Sequence, residues 1–251
     1  MCSSPGNKII SGLSARERSL IVPHLRHYSL VAGENLHTPH KSVSHVYFPQ
    51  SGLLSIVVVF SDGNLAEAAM AGANTVVGAI AAFGDGMALN QVLVAAPGVA
   101  DRIEVGILRR LVRESESLRD VLVRHSQALA AQSVQIAGCN AVHPLEARLC
   151  RWLLQCRDLV SADTLPFTQD LMSSMLGVYR PSLTHVLHKL EAARLVALSR
   201  GKICILNAEA LKPRSCECYN AIKEQLQIVD TARVPTSSVK ARVLPSALPA
   251  N

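Results

Sequence analysis

The hydrophobic period of this chain changes once, near residue 105, and that change constrains the architecture more than any other feature. Upstream, short apolar runs at 28–31, 46–48, 53–60, 65–70, 76–78, 91–95 and 100–105 are separated by turn residues such as Ala32-Gly33-Glu34 and Ser61-Asp62-Gly63-Asn64. Asp62-Gly63 is a hairpin signal, because a tight turn between strands needs positive φ. Short strands punctuated every ~8–12 residues predict a β-roll, a double-stranded, jelly-roll-like barrel or sandwich. Downstream the period becomes helical. Leu118, Leu122, His125, Leu129, Gln132, Ile136 and Cys139 follow at intervals of 4-3-4-3-4-3, a heptad seam. The seam predicts a long dimerisation helix with Leu118, Leu122, His125, Leu129, Gln132 and Ile136 as its contacts. The same period also suits a helix laid along its own β domain, because periodicity identifies a buried face and not what buries it.

Ser14 followed by Glu17 is a capping box, so a helix starts there and Pro23 ends it. Pro144 opens a later helix whose buried face is Leu145, Leu149, Trp152, Leu153 and Cys156. The domain boundaries that follow are a flexible start at 1–12, a β-roll domain at 13–116, a dimerisation helix at 117–141, a helix-turn-helix domain at 142–230 and a disordered tail at 231–251. The tail carries Pro235, Pro245 and Pro249 without any period.

The strongest local signal runs from 165 to 190. Thr168 is suited to cap a short helix. Leu171, Met172, Met175 and Leu176 form its inward face. Gly177 supplies a left-handed turn, and Pro181 sits in the first turn of a second helix. That helix buries Leu183, Val186, Leu187 and Leu190. It turns Arg180, Ser182, Thr184, His185, His188 and Lys189 outward, none of them acidic. A cationic, hydrogen-bonding helix after a glycine turn suits a duplex groove. The run 196–206 then predicts a hairpin, or wing, with Arg200 and Lys202 at its tip. The expected DNA contacts are Thr168, Gln169, Tyr179, Arg180, Ser182, Thr184, His185, His188, Lys189, Arg200 and Lys202.

Charge agrees with that placement. Residues 1–141 hold 11 Lys and Arg against 10 Asp and Glu, and the remainder holds 14 against 9. Aromatic residues are only 4%, too few for a single-strand stacking surface. No apolar run is long enough to span a bilayer, and the start lacks a signal-peptide plan, so a cytoplasmic protein is expected. Seven scattered cysteines argue for free thiols rather than a disulfide framework. Cys216 and Cys218 lack a matching second pair, which favours packing over a zinc site or a redox role. His37, His40 and His45 read as solvated histidines of a loop and a strand edge, with no metal expected.

Over residues 13–228 the chain resembles the Crp/Fnr superfamily of bacterial regulators. The resemblance rests on the order of the parts, on 45–53 in the β-roll and above all on Leu176-Gly-Val-Tyr-Arg-Pro-Ser-Leu-Thr-His-Val-Leu187. It is closest to a branch marked by Cys139-Asn-Ala, 147–154 and Cys216-Glu-Cys-Tyr219. The resemblance implies an α+β fold with a cyclic-nucleotide-binding-like sensor domain. It implies a cytoplasmic homodimer on palindromic promoter DNA, with RNA polymerase as a further partner. Arg180 falls on the family's DNA-contacting arginine. Pro181 falls where the best-known members read a base with glutamate, and His185 where they carry arginine, so a different operator is implied. In the effector pocket, Gly78, Ala79, Leu89 and Asn90 form a degenerate version of the cyclic AMP motif. Ala79 replaces the ribose carboxylate and Leu89 the phosphate arginine, so ordinary cyclic AMP binding is not expected. No cofactor is implied, although an unknown small effector, or a redox signal, remains the alternative control of DNA affinity. The rival from another class is a cupin-like β-barrel enzyme. It lacks support, because the acidic residues of the β region fall mostly at turns and no nucleophile–base arrangement is visible.

Overall fold

The computed structural model describes residues 6–231, with side chains to residue 227. Cys2 and all but the first residue of the expected disordered tail lie outside the described residues. Residues 8–12 depart from the expected flexible start. They form α1 (Lys8–Gly12), because the buried Asn7 both caps the helix and ties it down. Asn7 Oδ1 accepts from Ile9 N at 3.0 Å, and its amide nitrogen donates to the carbonyls of Pro49 and Thr75 at 2.8 Å each. The capping box of α2 (Ala15–Ile21) forms as read, with both the Ser14 and Glu17 bonds made, and Pro23 lies in the 3-10 turn that ends the helix.

The β-roll contains β1 (Arg26–Leu30), β2 (Asn35–His37), β3 (His45–Pro49), β4 (Leu53–Val59), β5 (Leu65–Ala71), β6 (Gln91–Ala96) and β7 (Gly98–Glu104). They pair antiparallel in two sheets, β1-β7-β3 and β2-β6-β4-β5. The 61–64 turn joins β4 to β5, with Gly63 at φ +83°. The run at 76–78 is not a strand. It contributes one bridge, Val77 to Tyr47, and leads into a 3-10 turn at Ala79–Ala82. Facing apolar residues of the two sheets, among them Leu30, Tyr47, Leu54, Val92 and Val94, fill part of the interior.

Two helices follow without a loop, α3 (Val105–Glu114) and α4 (Glu116–Val142), split at Ser115, whose side chain caps α4 through Leu118 N. The long helix exists, but its heptad face is turned inward. Leu118 and Leu122 pack fully buried into the cluster of Phe48, Ile103 and Leu108. His125 and Ile136 are buried, and Gln132 Oε1 accepts from Met70 N of β5 at 2.6 Å. Leu129 is half-buried. The six residues assigned to a dimer seam are therefore taken up largely within the chain. A fully buried leucine contributes about 1.5–3 kcal/mol, so the face that satisfies the helix internally is not free to do so again with a partner.

The remaining elements are α5 (Leu145–Val160), β8 (Thr164–Leu165), α6 (Gln169–Leu176), α7 (Arg180–Ala192), β9 (Val196–Ser199), β10 (Lys202–Ile205), α8 (Ala208–Leu211) and α9 (Cys218–Thr231). The three short strands form one antiparallel sheet, β8-β10-β9. α9 returns along α4, and α6 lies against β5. One core joins both halves: Leu53, Val57 and Met70 of the roll pack with Trp152, Met172, Leu176 and Leu187. No helix among the described residues is long and apolar enough to cross a membrane.

Candidate nucleic-acid interface

The helix pair α6–α7 is built as its sequence dictates. Thr168 caps α6 by accepting from Leu171 N at 3.1 Å. Gly177 ends it at φ +61° and ψ +44°, a conformation open to glycine at little cost. A Cβ at Gly177 would lie 3.6 Å from that of Ala66, so the turn also rests on the roll. Tyr179 precedes α7 and Pro181 occupies its first turn. Leu183, Val186, Leu187 and Leu190 are buried against α5 and α6, which fixes the rotation of α7. Arg180, Ser182, His185, His188 and Lys189 are consequently exposed, as are Thr168 and Tyr179.

Two expected DNA contacts are engaged with each other. Thr184, half-buried, donates from Oγ1 to Gln169 Oε1 at 2.8 Å and so links the two helices. The outward surface is also less free of acid than the residues from Arg180 to Lys189 suggest. Arg180 Nη1 lies 2.9 Å from Asp170 Oδ1 of α6, and His188 Nδ1 lies 3.5 Å from Glu191 Oε2. The Arg180–Asp170 pair is solvent-exposed on both sides, so it contributes about 0–1 kcal/mol and is easily exchanged. Asp170 was legible as a first-turn acid that suits the helix dipole. Its reach to Arg180 depends on the angle between helices, which spacing does not encode.

The wing forms as read. β9 and β10 pair with Lys202 opposite Ser199, and Gly201 takes φ +73° at the tip beside the exposed Arg200 and Lys202. Glu191 anchors the hairpin to α7 by accepting from Leu198 N at 3.0 Å.

A buried polar contact seats these helices on the roll. Trp152 Nε1 of α5 donates to Glu67 Oε1 of β5 at 2.9 Å, and Ser55 Oγ donates to the other carboxylate oxygen. Glu67 is buried, and burial pushes its carboxyl up to about 7 against the opposing pull of those two donors and Arg151. Sequence reading placed Trp152 in a core and left Glu67 without a role.

In the roll, Ala79 is buried and opens the 3-10 turn, Leu89 is 76% exposed, and Asn90 is exposed. Gly78 has φ +87°, and a Cβ there would come within 2.4 Å of the His37 ring. His37 is not a solvated loop histidine. It ends β2, is buried, and bonds through Nε2 to the carbonyl of His45 at 2.9 Å. Burial lowers its pKa, since the charged form loses hydration. His40 is exposed in a turn and His45 is half-buried on β3.

Residues 147–214 match the Crp-like helix-turn-helix domain. No curated protein matches the chain. FixK2 from Bradyrhizobium japonicum superposes with a TM-score of 0.64 at 14% identity, over 76% of this chain and 98% of that one. CLP from Xanthomonas campestris, a c-di-GMP responsive global regulator, gives 0.64 at 16% identity, over 77% and 100%. A Crp/Fnr-family transcriptional regulator from Thermus thermophilus gives 0.62 at 20% identity, over 76% and 98%. At these identities the superpositions speak for the fold, and the matched domain is one of transcription regulators rather than enzymes. Residues 147–214 are thus matched as a Crp-like helix-turn-helix domain, and the chain around them has the fold of Crp/Fnr-family regulators.

Proposed function

We propose that the chain is a sequence-specific transcription regulator that binds promoter DNA as a homodimer on a palindromic site. The observation that carries this is the exposed row Arg180, Ser182, His185 and Lys189 on α7, beside Arg200 and Lys202 of the wing. α7 enters the major groove. Arg180 trades Asp170 for a guanine edge or a phosphate, and Ser182 and His185 read neighbouring bases. Thr168, Tyr179, His188 and Lys189 hold backbone phosphate, as do the two wing cations. Gln169 and Thr184 set the angle between α6 and α7. RNA polymerase is the further partner at the promoter, and the cytoplasm is the compartment.

The dimer forms through the outer face of α4. Gln127, Ala130, Val134, Ala137 and Ala141 are exposed there at intervals of 3-4-3-4, a second heptad stripe opposite the buried one. Val134 is 74% exposed, and the alanines allow close helix approach.

The roll is a degenerate sensor that does not take cyclic AMP. Ala79 has no carboxylate for ribose, and the exposed Leu89 has no charge for phosphate, whose burial without a cation or dense hydrogen bonding is costly. The effector-responsive alternative is favoured by a separate cleft of about 470 Å³ lined in part by Asn74, Gln132, Gln155, Tyr219 and Lys223, where the roll meets α4, α5 and α9. Pockets of this size with a few convergent polar groups take small ligands.

Genome-wide recovery of DNA bound to the tagged protein tests the central reading. The expected result is an inverted repeat with half-sites one helical turn apart, about 34–36 Å. A purified protein indifferent to every recovered duplex at low salt overturns it.

A further inference from the structure

Cysteine and histidine side chains gather where α4, α5 and α9 meet. Cys139 lies in the last turn of α4, and His143 is the residue that ends it. Cys216 and Cys218 come from the segment that opens α9. Cys139, Cys216 and Cys218 are buried, and His143 is half-buried. One ligand-capable atom from each of the four lies within 4.8 Å of the other three, the one such group among the described residues. Cys139 Sγ and Cys216 Sγ are 3.5 Å apart, and Cys218 Sγ and His143 Nδ1 are 3.7 Å apart.

Those two separations match edges of a metal-sized tetrahedron, and 4.8 Å bounds the other four. Bonds of about 2.3 Å to sulfur and 2.0–2.1 Å to nitrogen give edges of about 3.8 Å between sulfurs and about 3.6 Å between sulfur and nitrogen. The observed distances differ from these by only a few tenths of an ångström. Outer groups are also placed. His143 Nε2 lies 3.2 Å from Glu217 Oε2, an arrangement that would fix the ring with Nδ1 free to ligate. Gln135 Nε2 donates to Cys218 Sγ at 3.1 Å. Three thiolates and one dication would leave one net negative charge, and Arg148 and Arg151 lie within electrostatic reach of the thiols.

We infer that Cys139, His143, Cys216 and Cys218 form a four-coordinate site for a soft-to-borderline divalent ion of the zinc class. All four positions come from the protein, so the site is structural rather than catalytic. It belongs to the joint of the molecule. His143 and Pro144 are all that separate α4 from α5, so the ion pins the long helix, the entry to the helix-turn-helix domain and the start of α9 at one point. Metal occupancy would then set how firmly that domain is held relative to α4.

Full-length protein, purified reduced and without chelator, is assayed by elemental mass spectrometry, and parallel samples are loaded with Co²⁺. About one zinc per chain is expected, and Co²⁺ should give thiolate charge-transfer bands with the intense visible bands of tetrahedral coordination. Cys218→Ser and His143→Ala should drop to background metal, whereas Cys204→Ser, on β10 away from the cluster, should keep it. The wild-type cobalt spectrum reports ligand type and geometry even where a variant fails to fold. Wild-type protein that neither carries zinc nor takes up Co²⁺ overturns the site. So does a Cys139–Cys216 disulfide in the purified protein, or full metal retention in both ligand variants. None of these readouts depends on DNA binding.

Discussion

At Arg180 the proposed interface has a charge that is positioned but weakly committed. Its partner Asp170 is exposed, as Arg180 is, so the pair contributes little to stability. Arg180→Ala should leave the thermal midpoint nearly unchanged while weakening binding to the recovered operator by about 1–3 kcal/mol, if the guanidinium makes a bidentate base contact. Fluorescence anisotropy at fixed salt checks this, and unaltered affinity removes Arg180 from the base-reading set. Asp170→Asn should act in the opposite direction, strengthening binding at low salt by releasing Arg180. Glu67 is a residue of the other kind, buried and committed. Its carboxyl holds its proton in the folded chain up to about pH 7, whereas an ordinary glutamate ionises near 4.5. Between those values the folded state binds the extra proton, so this group's contribution to stability falls as pH rises and then levels off. The difference amounts to on the order of 3 kcal/mol. His37 and His125, whose pKa values burial lowers, slope the other way in an overlapping window, because stability tied to a neutral histidine is lost as pH falls. Glu67 is therefore isolated by comparison. Glu67→Gln should gain stability relative to wild type on going from pH 5 to pH 8 in urea denaturation, and an unchanged difference means the carboxylate is better solvated than its surroundings imply.

Among the elements, α4 separates what a sequence pattern specifies from what it leaves open. The 4-3 spacing from Leu118 to Cys139 identified the helix and its buried face correctly. It could not say that β5 and α9 do the burying, because a roll surface and a second helix both accept an apolar stripe. The outer stripe of Gln127, Ala130, Val134, Ala137 and Ala141 escaped notice because alanine adds little to a hydrophobic period. Val134→Glu should therefore shift the protein toward monomer in sedimentation equilibrium without unfolding it. Leu129→Glu, at a half-buried position on the same side of the helix as Gln132 and Ile136, should lower stability instead. A dimer indifferent to Val134→Glu places the interface elsewhere. α6, α7 and the wing were legible in nearly every detail, since Thr168, Gly177, Pro181 and Gly201 each impose a local conformation that needs no distant partner. The cluster at Cys139, His143, Cys216 and Cys218 was not, because its two ligand pairs lie far apart in sequence. A cysteine four residues before a histidine at a helix end, and a later Cys-x-Cys, become one site only when α9 folds back on α4.

For the whole molecule, the consequential contact is the one no local pattern announces: the helix-turn-helix domain shares its core with the roll. Leu53, Val57 and Met70 from the roll and Trp152, Met172 and Leu176 from the other half form one buried cluster, and Trp152 is hydrogen-bonded to Glu67 inside it. Two halves with separate cores can melt independently, whereas halves that share one expose apolar surface on both sides when either opens. Calorimetry should accordingly give a single cooperative transition for the described chain rather than two. Trp152→Phe keeps most of the apolar volume but removes one of the two neutral donors to a buried carboxyl. A loss of about 1–3 kcal/mol is expected for a group left short of a partner, or at least about 2 °C in the midpoint for a chain of this size. Glu67→Leu combined with Trp152→Phe should recover part of that loss, because the buried acceptor that missed its donor is then gone and neighbouring residues couple. Two resolved transitions in the wild type, or strictly additive losses in the double variant, would mean that the halves are neighbours rather than one folding unit.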